Sequence, residues 1–211
     1  MLTTKTLTDF TDELASSSPA PGGGSVAALA GALGAALTSM VCNLTIGKKK
    51  YAQVEAELAA VLKKSESLRA SFMLLIDEDT TVFNEVMHAF GLPKGTASEL
   101  TARTEAIQAA TKKATIVPLR VMELCEEALS LTKIVAERGN SNSISDAGVA
   151  SLMCHSACLG ARLNVEINLA SLHDAAFVHQ TQTEVDEVSR RVDGVNREIL
   201  ARIESSFAKS R

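Results

Sequence analysis

Polar and apolar positions divide the chain into helical blocks, and one block stands apart. From Leu14 to Gly47 no side chain is charged. Pro19, Pro21, Gly22, Gly23 and Gly24 form a turn leading into Ser25, a favoured N-cap residue, and then into a run of Ala, Gly and Leu. A helix is therefore predicted from about Val26. It is apolar on all sides and rich in small residues, so it belongs at the centre of a bundle with other helices packed close around it. Val26 to Ile46 also has about the length of a bilayer span. Thr38, Ser39, Asn43 and Thr45 weaken its second half, however, and no second span accompanies it. A buried central helix is the better reading, with no membrane as a partner.

The flanking blocks are amphipathic. Leu7, Phe10 and Leu14 predict a short helix that braces the turn. Gly47 is a terminator for the central helix, and Lys48, Lys49 and Lys50 stand where cations suit a helix C-terminus or dock an anionic tail. Val54, Leu58, Val61, Leu62, Leu68, Phe72, Leu75, Ile76, Phe83 and Val86 trace one buried stripe on a long second helix. After a turn at Phe90 to Ser98, Thr96 and Glu99 have capping-box spacing. Helical pattern then runs from about Ala97 to Glu137, with a kink or break expected at Pro118, which cannot donate to the Ala114 carbonyl. Arg138 and Gly139 close it. A further helix is expected from the Asn140 to Asp146 segment to about His173. Val185, Val188, Val192, Val195 and Ile199 mark a last amphipathic helix within Val178 to Phe207. The expected architecture is all-α, a multihelical up-and-down bundle around a central apolar helix, with residues 1–211 as a single domain.

Composition narrows this further. Aromatic residues make up 3% of the chain, so the core must be aliphatic and alanine-rich, which favours closely spaced helices over a sheet. The net charge of −4, with basic residues dispersed along the chain, argues against nucleic acid as a partner. Cys42, Cys125, Cys154 and Cys158 show no paired framework and fit a reducing cytoplasm. Cys154 and Cys158 share a helix face, but His155 is turned about 100° from Cys154. Buried thiols are expected there, and no metal site.

Chemistry is carried by a few polar residues in apolar company. Asp79 lies within the buried stripe between Ile76 and Phe83, where a carboxylate must be paired or face a cleft, whereas Asp77 and Glu78 point elsewhere, towards solvent. Asn140, Asn142, Ser143 and Ser145 with Asp146 form a polar cluster at a helix start, serving as caps or as a pocket wall. Asn164 and Asn168 share one face and require partners. Asp146 is aligned with them, but at about 1.5 Å per residue it stands roughly 27 Å from Asn164. One helix cannot bring them into a single small site. The glycine turn is not a nucleotide-binding P-loop, because no Lys-Ser or Lys-Thr pair follows at the required spacing.

Four segments, in order, are similar to the cyclodeaminase and cyclohydrolase family, which comprises the C-terminal domain of formiminotransferase-cyclodeaminase and its stand-alone relatives. They are SPAPGGGSVAALAGALGAAL; Asp79 with Phe83 and the Leu92 to Lys94 LPK; Arg103 with AIQ and VPL; and GNSNSISDAGVA running on to LNVEINL. The resemblance covers roughly Leu7 to Asp174 and implies an all-helical homodimer or larger homo-oligomer. It also implies a tetrahydrofolate derivative as substrate and no cofactor beyond that substrate. The implied reaction is cyclodeamination of 5-formiminotetrahydrofolate or hydrolysis of 5,10-methenyltetrahydrofolate. Each passes through a tetrahedral carbon between two nitrogens and moves a proton, so Asp79 and Asp146 are the catalytic candidates. Gly22, Gly23, Gly24 and Ser25 are candidates to present backbone N–H groups to the folate. Lys48, Lys94 and Arg103 are candidates for its glutamate tail, and Asn140, Asn142, Asn164 and Asn168 for the pterin edge. The competing reading is a non-catalytic helical subunit that binds folate or another protein.

Overall fold

The computed structural model describes residues 1–209, and among them there are helices and no strand. A short N-terminal turn precedes α1 (Leu7–Leu14) and α2 (Gly23–Asn43). A 3-10 turn at Lys49–Val54 leads into α3 (Glu55–Phe90), followed by α4 (Ala97–Arg138), α5 (Ile144–Leu169) and α6 (Ala175–Lys209). Cross-helix bonds give the directions. α3 runs against α2, because Ser25 reaches Ile76 at one level and Ser65 donates to the Ala35 carbonyl at another (2.8 Å). α4 runs against α3 through Lys113–Glu85 and Arg138–Glu57, both at 3.1 Å. α5 runs against α2 and α4, and α6 against α5 through Ser151–Asn196 (2.8 Å) and His155–Asp193 (2.7 Å). The result is the expected up-and-down bundle, with α2 packed on α3, α4 and α5 at once.

Small residues allow that central position. A Cβ on Gly24 would collide with the Asp79 carboxylate, one on Gly31 with the Phe72 ring, and one on Gly34 with the Cys154 sulfur. Phe72 is fully buried and provides the largest side chain at the α2–α3 seam. Two of the hydroxyls that weakened this segment as a membrane span find partners in the bundle: Thr38 meets Thr132 at 2.8 Å, and Thr45 accepts the Asn140 backbone N–H at 2.8 Å. α2 is not enclosed all round, however. Val26, Leu33, Met40 and Leu44 remain exposed on one face, beside an exposed row of Val149, Leu152, Leu159, Leu163 and Ile167 on α5.

Several local expectations are corrected. α2 starts at Gly23 with Gly22 as its N-cap, so Ser25 lies inside the first turn and its hydroxyl is spent on α3. α4 is unbroken through Pro118, because the carbonyl that proline leaves unserved, Ala114, receives an N–H from Asn168. α5 ends at Leu169, short of His173, where Gln108 of α4 takes over the backbone of the turn. It donates to the Ser171 carbonyl and accepts from the His173 N–H. Asp77 is not simply solvated. It accepts from the Leu2 backbone and from the Thr3 hydroxyl, pinning the N-terminal turn to α3. The capping box of Thr96 and Glu99 is present as expected.

The seam at Gly31 gives a direct test of close packing. Gly31→Ala should destabilise the protein by about 1–3 kcal/mol, the usual cost of overfilling a packed core. Combining it with Phe72→Leu should recover part of that loss. Urea unfolding of both single variants and the double variant measures the coupling.

Candidate active site

A cavity of about 370 Å³ opens at the N-terminal end of α2. Its size lies near the lower end of the roughly 300–1,000 Å³ typical of small-molecule sites. The floor is the first turn of α2, with Gly22, Gly23 and Gly24, and Pro19 and Ala20 stand in front of it. Asp79, Val82, Phe83 and Val86 enter from α3, Ala114 and Pro118 from α4, and Asn164, Ile167 and Asn168 from α5. Asp79 is the one ionisable side chain among the described residues that line this cavity.

Asp79 reaches its place because Gly24 has no side chain to keep it away. Ser25 Oγ lies 2.9 Å from Asp79 Oδ2 and 3.0 Å from the Ile76 carbonyl, with Thr80 Oγ1 at 3.4 Å. Burial pushes the Asp79 pKa up, while the hydroxyl and backbone N–H of Ser25 pull it back, and burial wins. The early N–H groups of α2 have no intrahelical acceptor and carry the positive end of the helix dipole, so they favour a ligand acceptor at this spot.

The two asparagines are held by their nitrogens, each in a different way. Asn164 donates through Nδ2 to the Gly160 carbonyl of its own helix (2.8 Å), and Asn168 donates across to the Ala114 carbonyl of α4 (3.0 Å). A carbonyl only accepts, so each side chain must turn its nitrogen to the protein.

Of the residues singled out by sequence, Gly22, Gly23, Gly24, Asp79, Asn164 and Asn168 therefore come together, with Ser25 directly behind them. The others lie elsewhere. Lys48 is exposed past the far end of α2, which at about 1.5 Å per residue is some 30 Å from the cavity. Asn140 is buried at that same far end, where it donates to the Leu44 carbonyl (3.1 Å) and accepts from the Asn142 N–H (3.1 Å). Asp146 follows in the first turn of α5. Lys94 is exposed in the α3–α4 connection. Arg103 caps the end of α3, donating Nε (3.2 Å) and Nη2 (3.0 Å) to the Phe90 carbonyl with its guanidinium over the Phe90 ring.

Pro118, Ala114 and Ile167 line the cavity although sequence did not place them in the site, marking Pro118 and Ala114 only as a helix interruption. The signal that was available is the pairing of a mid-helix proline, which frees a carbonyl, with an amide that needs one. The thiols lie outside the site. Cys154 and Cys158 are buried with pKa values pushed up to about 12, Cys42 to about 11, and His155 pairs with Asp193.

Fold and cavity define a class: a helical-bundle protein whose site offers one partly buried carboxylate, a helix N-terminus and two amide oxygens. The chain belongs to the formiminotransferase-cyclodeaminase family, whose sequence pattern matches residues 6–187. It is 49% identical over 201 residues to the methenyltetrahydrofolate cyclohydrolase of Methylorubrum extorquens strain AM1, covering 95% of this chain and 97% of that protein. It is 34% identical over 179 residues to the formimidoyltransferase-cyclodeaminase of Rattus norvegicus, of which it spans 33%. The structure superposes on formiminotetrahydrofolate cyclodeaminase from Thermotoga maritima with a TM-score of 0.88 at 30% identity, covering 97% of this chain and 98% of that one.

The balance of forces on Asp79 has a measurable sign. A carboxyl whose folded pKa is raised contributes stability below its unfolded pKa of about 3.9 and loses it as pH rises through the folded value. Asp79→Asn should therefore melt higher than the parent at pH 7, and the advantage should vanish as pH falls towards 4. Thermal unfolding across this range checks it.

Proposed function

We propose that the protein is an enzyme of folate one-carbon metabolism that hydrolyses 5,10-methenyltetrahydrofolate to 10-formyltetrahydrofolate. The observation that carries this reading is the solitary carboxylate in the cavity. The methenyl substrate carries one positive charge delocalised over the N5–C–N10 unit, and one buried anion complements it. Near-full-length similarity to a cyclohydrolase favours hydrolysis over deamination. Cyclodeamination of 5-formiminotetrahydrofolate is the second reading, favoured by the Thermotoga structure.

In the hydrolytic reaction Asp79 takes a proton from water as the oxygen bonds to the methenyl carbon, giving a neutral tetrahedral carbinolamine. The C–N5 bond then breaks as N5 receives that proton from Asp79. The hydroxyl oxygen becomes the formyl carbonyl and loses its own proton, so one proton is released in all. Burial of Asp79 raises its proton affinity towards working pH, while Ser25 keeps its anionic form accessible. Water and protons are exchanged with no net oxidation or reduction, so the proposed chemistry calls for no redox cofactor beside the tetrahydrofolate. The four free cysteines suit a cytoplasmic setting.

The assembly we propose is a homodimer through the exposed apolar rows of α2 and α5. Leu33, Met40, Leu152 and Leu159 lie on one continuous face of two adjacent helices, and such a face requires cover. A two-fold axis through the middle of the face and perpendicular to α2 and α5 would set the cavity end of one protomer beside the Asn140 to Asp146 end of its partner. Asp146 and Asn142 then approach a site that is out of their reach within one chain.

Purified protein should accelerate loss of the methenyl chromophore from 5,10-methenyltetrahydrofolate. Accelerated gain of that chromophore with ammonia release from 5-formiminotetrahydrofolate would instead establish the deaminase reading. No change in either cuvette would point to a non-catalytic subunit. Asp79→Asn should lower turnover by about 10²–10⁴-fold, the usual contribution of a general acid–base group, with folate still bound. Leu33→Glu with Leu159→Glu should convert dimer to folded monomer, read by light scattering and circular dichroism.

A further inference from the structure

Pro118 and Asn168 form a device that fixes the polarity of the cavity wall. In an uninterrupted α-helix the Ala114 carbonyl would accept the N–H of residue 118. Proline has none, and α4 nevertheless continues without a break. The vacated carbonyl is met by Asn168 Nδ2 from α5 at 3.0 Å. Ala114, Pro118 and Asn168 all line the cavity, so the exchange takes place at its wall. Asn168 is partly buried, and with one N–H of its Nδ2 committed to Ala114 the amide is held in one orientation, with its Oδ1 left without a protein donor among the described residues.

We propose that Pro118 is a positioning residue and Asn168 a specificity residue, held with its amide oxygen presented to a ring or amino N–H of a reduced pterin. This rests on the folate reading above. Chemical direction decides the discrimination. An amide free to rotate accepts or donates according to the ligand, and discriminates poorly between an N–H and a ring nitrogen lone pair. Here rotation by 180° would set Asn168 Oδ1 against the Ala114 oxygen, leaving both without a donor in a partly buried place. The Oδ1 position is therefore fixed as an acceptor, and a ligand acceptor set against it is left unpaired. A tetrahydropterin carries N–H at N8, whereas the fully oxidised pterin of folic acid has a bare nitrogen there. The cost is carried by the protein in advance, because a mid-helix proline is tolerated where it destabilises the helix. Asn164, one turn away at about 5–6 Å between Cβ atoms, presents a second oxygen by bonding its own helix.

The test compares the parent with Pro118→Ala, Asn168→Asp and the double variant. It uses thermal unfolding, titration with 5-formyltetrahydrofolate and with folic acid, and methenyl hydrolysis. Pro118→Ala restores the helical N–H to the Ala114 carbonyl and should raise the melting temperature. It should at the same time weaken reduced-folate binding about 3- to 10-fold, the range of one hydrogen bond, seen as KM rather than kcat. It should also narrow the preference for reduced over oxidised folate. Asn168→Asp, whose carboxylate cannot donate to the carbonyl, should lose more stability in the parent than in the Pro118→Ala background. A merely structural proline would give the melting increase alone. Parent-like affinity and preference in Pro118→Ala, or equal cost of Asn168→Asp in both backgrounds, overturns the proposal while parent turnover leaves the folate reading intact. A parent protein that neither binds nor turns over a reduced folate overturns both.

Discussion

The architecture depends on how closely α2 lets its neighbours approach. Gly24, Gly31 and Gly34 present bare backbone to Asp79, Phe72 and Cys154 in turn, so the first two are met by α3 and the third by α5. Helices with larger side chains at these points would stand further apart, and the interaxial distance follows the contact residues. Core filling and site building are therefore the same act. Phe72 fills the space that Gly31 leaves, and one end of the same seam delivers Asp79 to the helix N-terminus.

That end of the seam sets two opposed electrostatic demands on one carboxyl. Partial burial disfavours its charge, and Ser25, through hydroxyl and N–H, favours it. Had Ser25 capped α2 in the ordinary way, its hydroxyl would have served its own helix, and Asp79 would have lost that part of its relief. Gly22 takes the cap position with extended backbone and so frees Ser25 for α3. A similar exchange occurs on the opposite wall, where α4 gives up an internal hydrogen bond at Pro118 and α5 supplies the replacement. In both places a local bond is traded for one between helices, and each trade ties the cavity wall to the bundle.

These trades explain where sequence is legible and where it is not. Periodicity locates the amphipathic helices and the buried stripe through Asp79, because burial of one face leaves a 3.6-residue imprint that survives any detail of packing. The capping box at Thr96 is legible because all its partners lie within three residues. Ser25 and Pro118 mislead because local rules assign them local partners, whereas their actual partners lie 54 residues away in one case, and in the other the missing N–H is replaced from 54 residues beyond Ala114. Asp77 and Arg103 belong with them: each is hydrophilic by composition, yet each closes a backbone group of a distant turn or helix end. Lys48, Asn140, Asn142 and Asp146 are grouped with the site by resemblance, and the chain places them at the other end of α2.

The separation of those two ends is itself informative. α2 and α5 lie antiparallel over their whole lengths, so the polar cluster that opens α5 and the asparagines near its close are fixed about 27 Å apart by helix rise alone. No side-chain rearrangement within one bundle changes that distance. The exposed apolar rows run along the same two helices and connect the same two ends. In the dimer proposed above, a two-fold axis perpendicular to α2 and α5 reverses one copy against the other, so each end meets its opposite. In that proposed arrangement, the spacing that prevents a single chain from gathering its polar clusters is the spacing that two copies would convert into proximity.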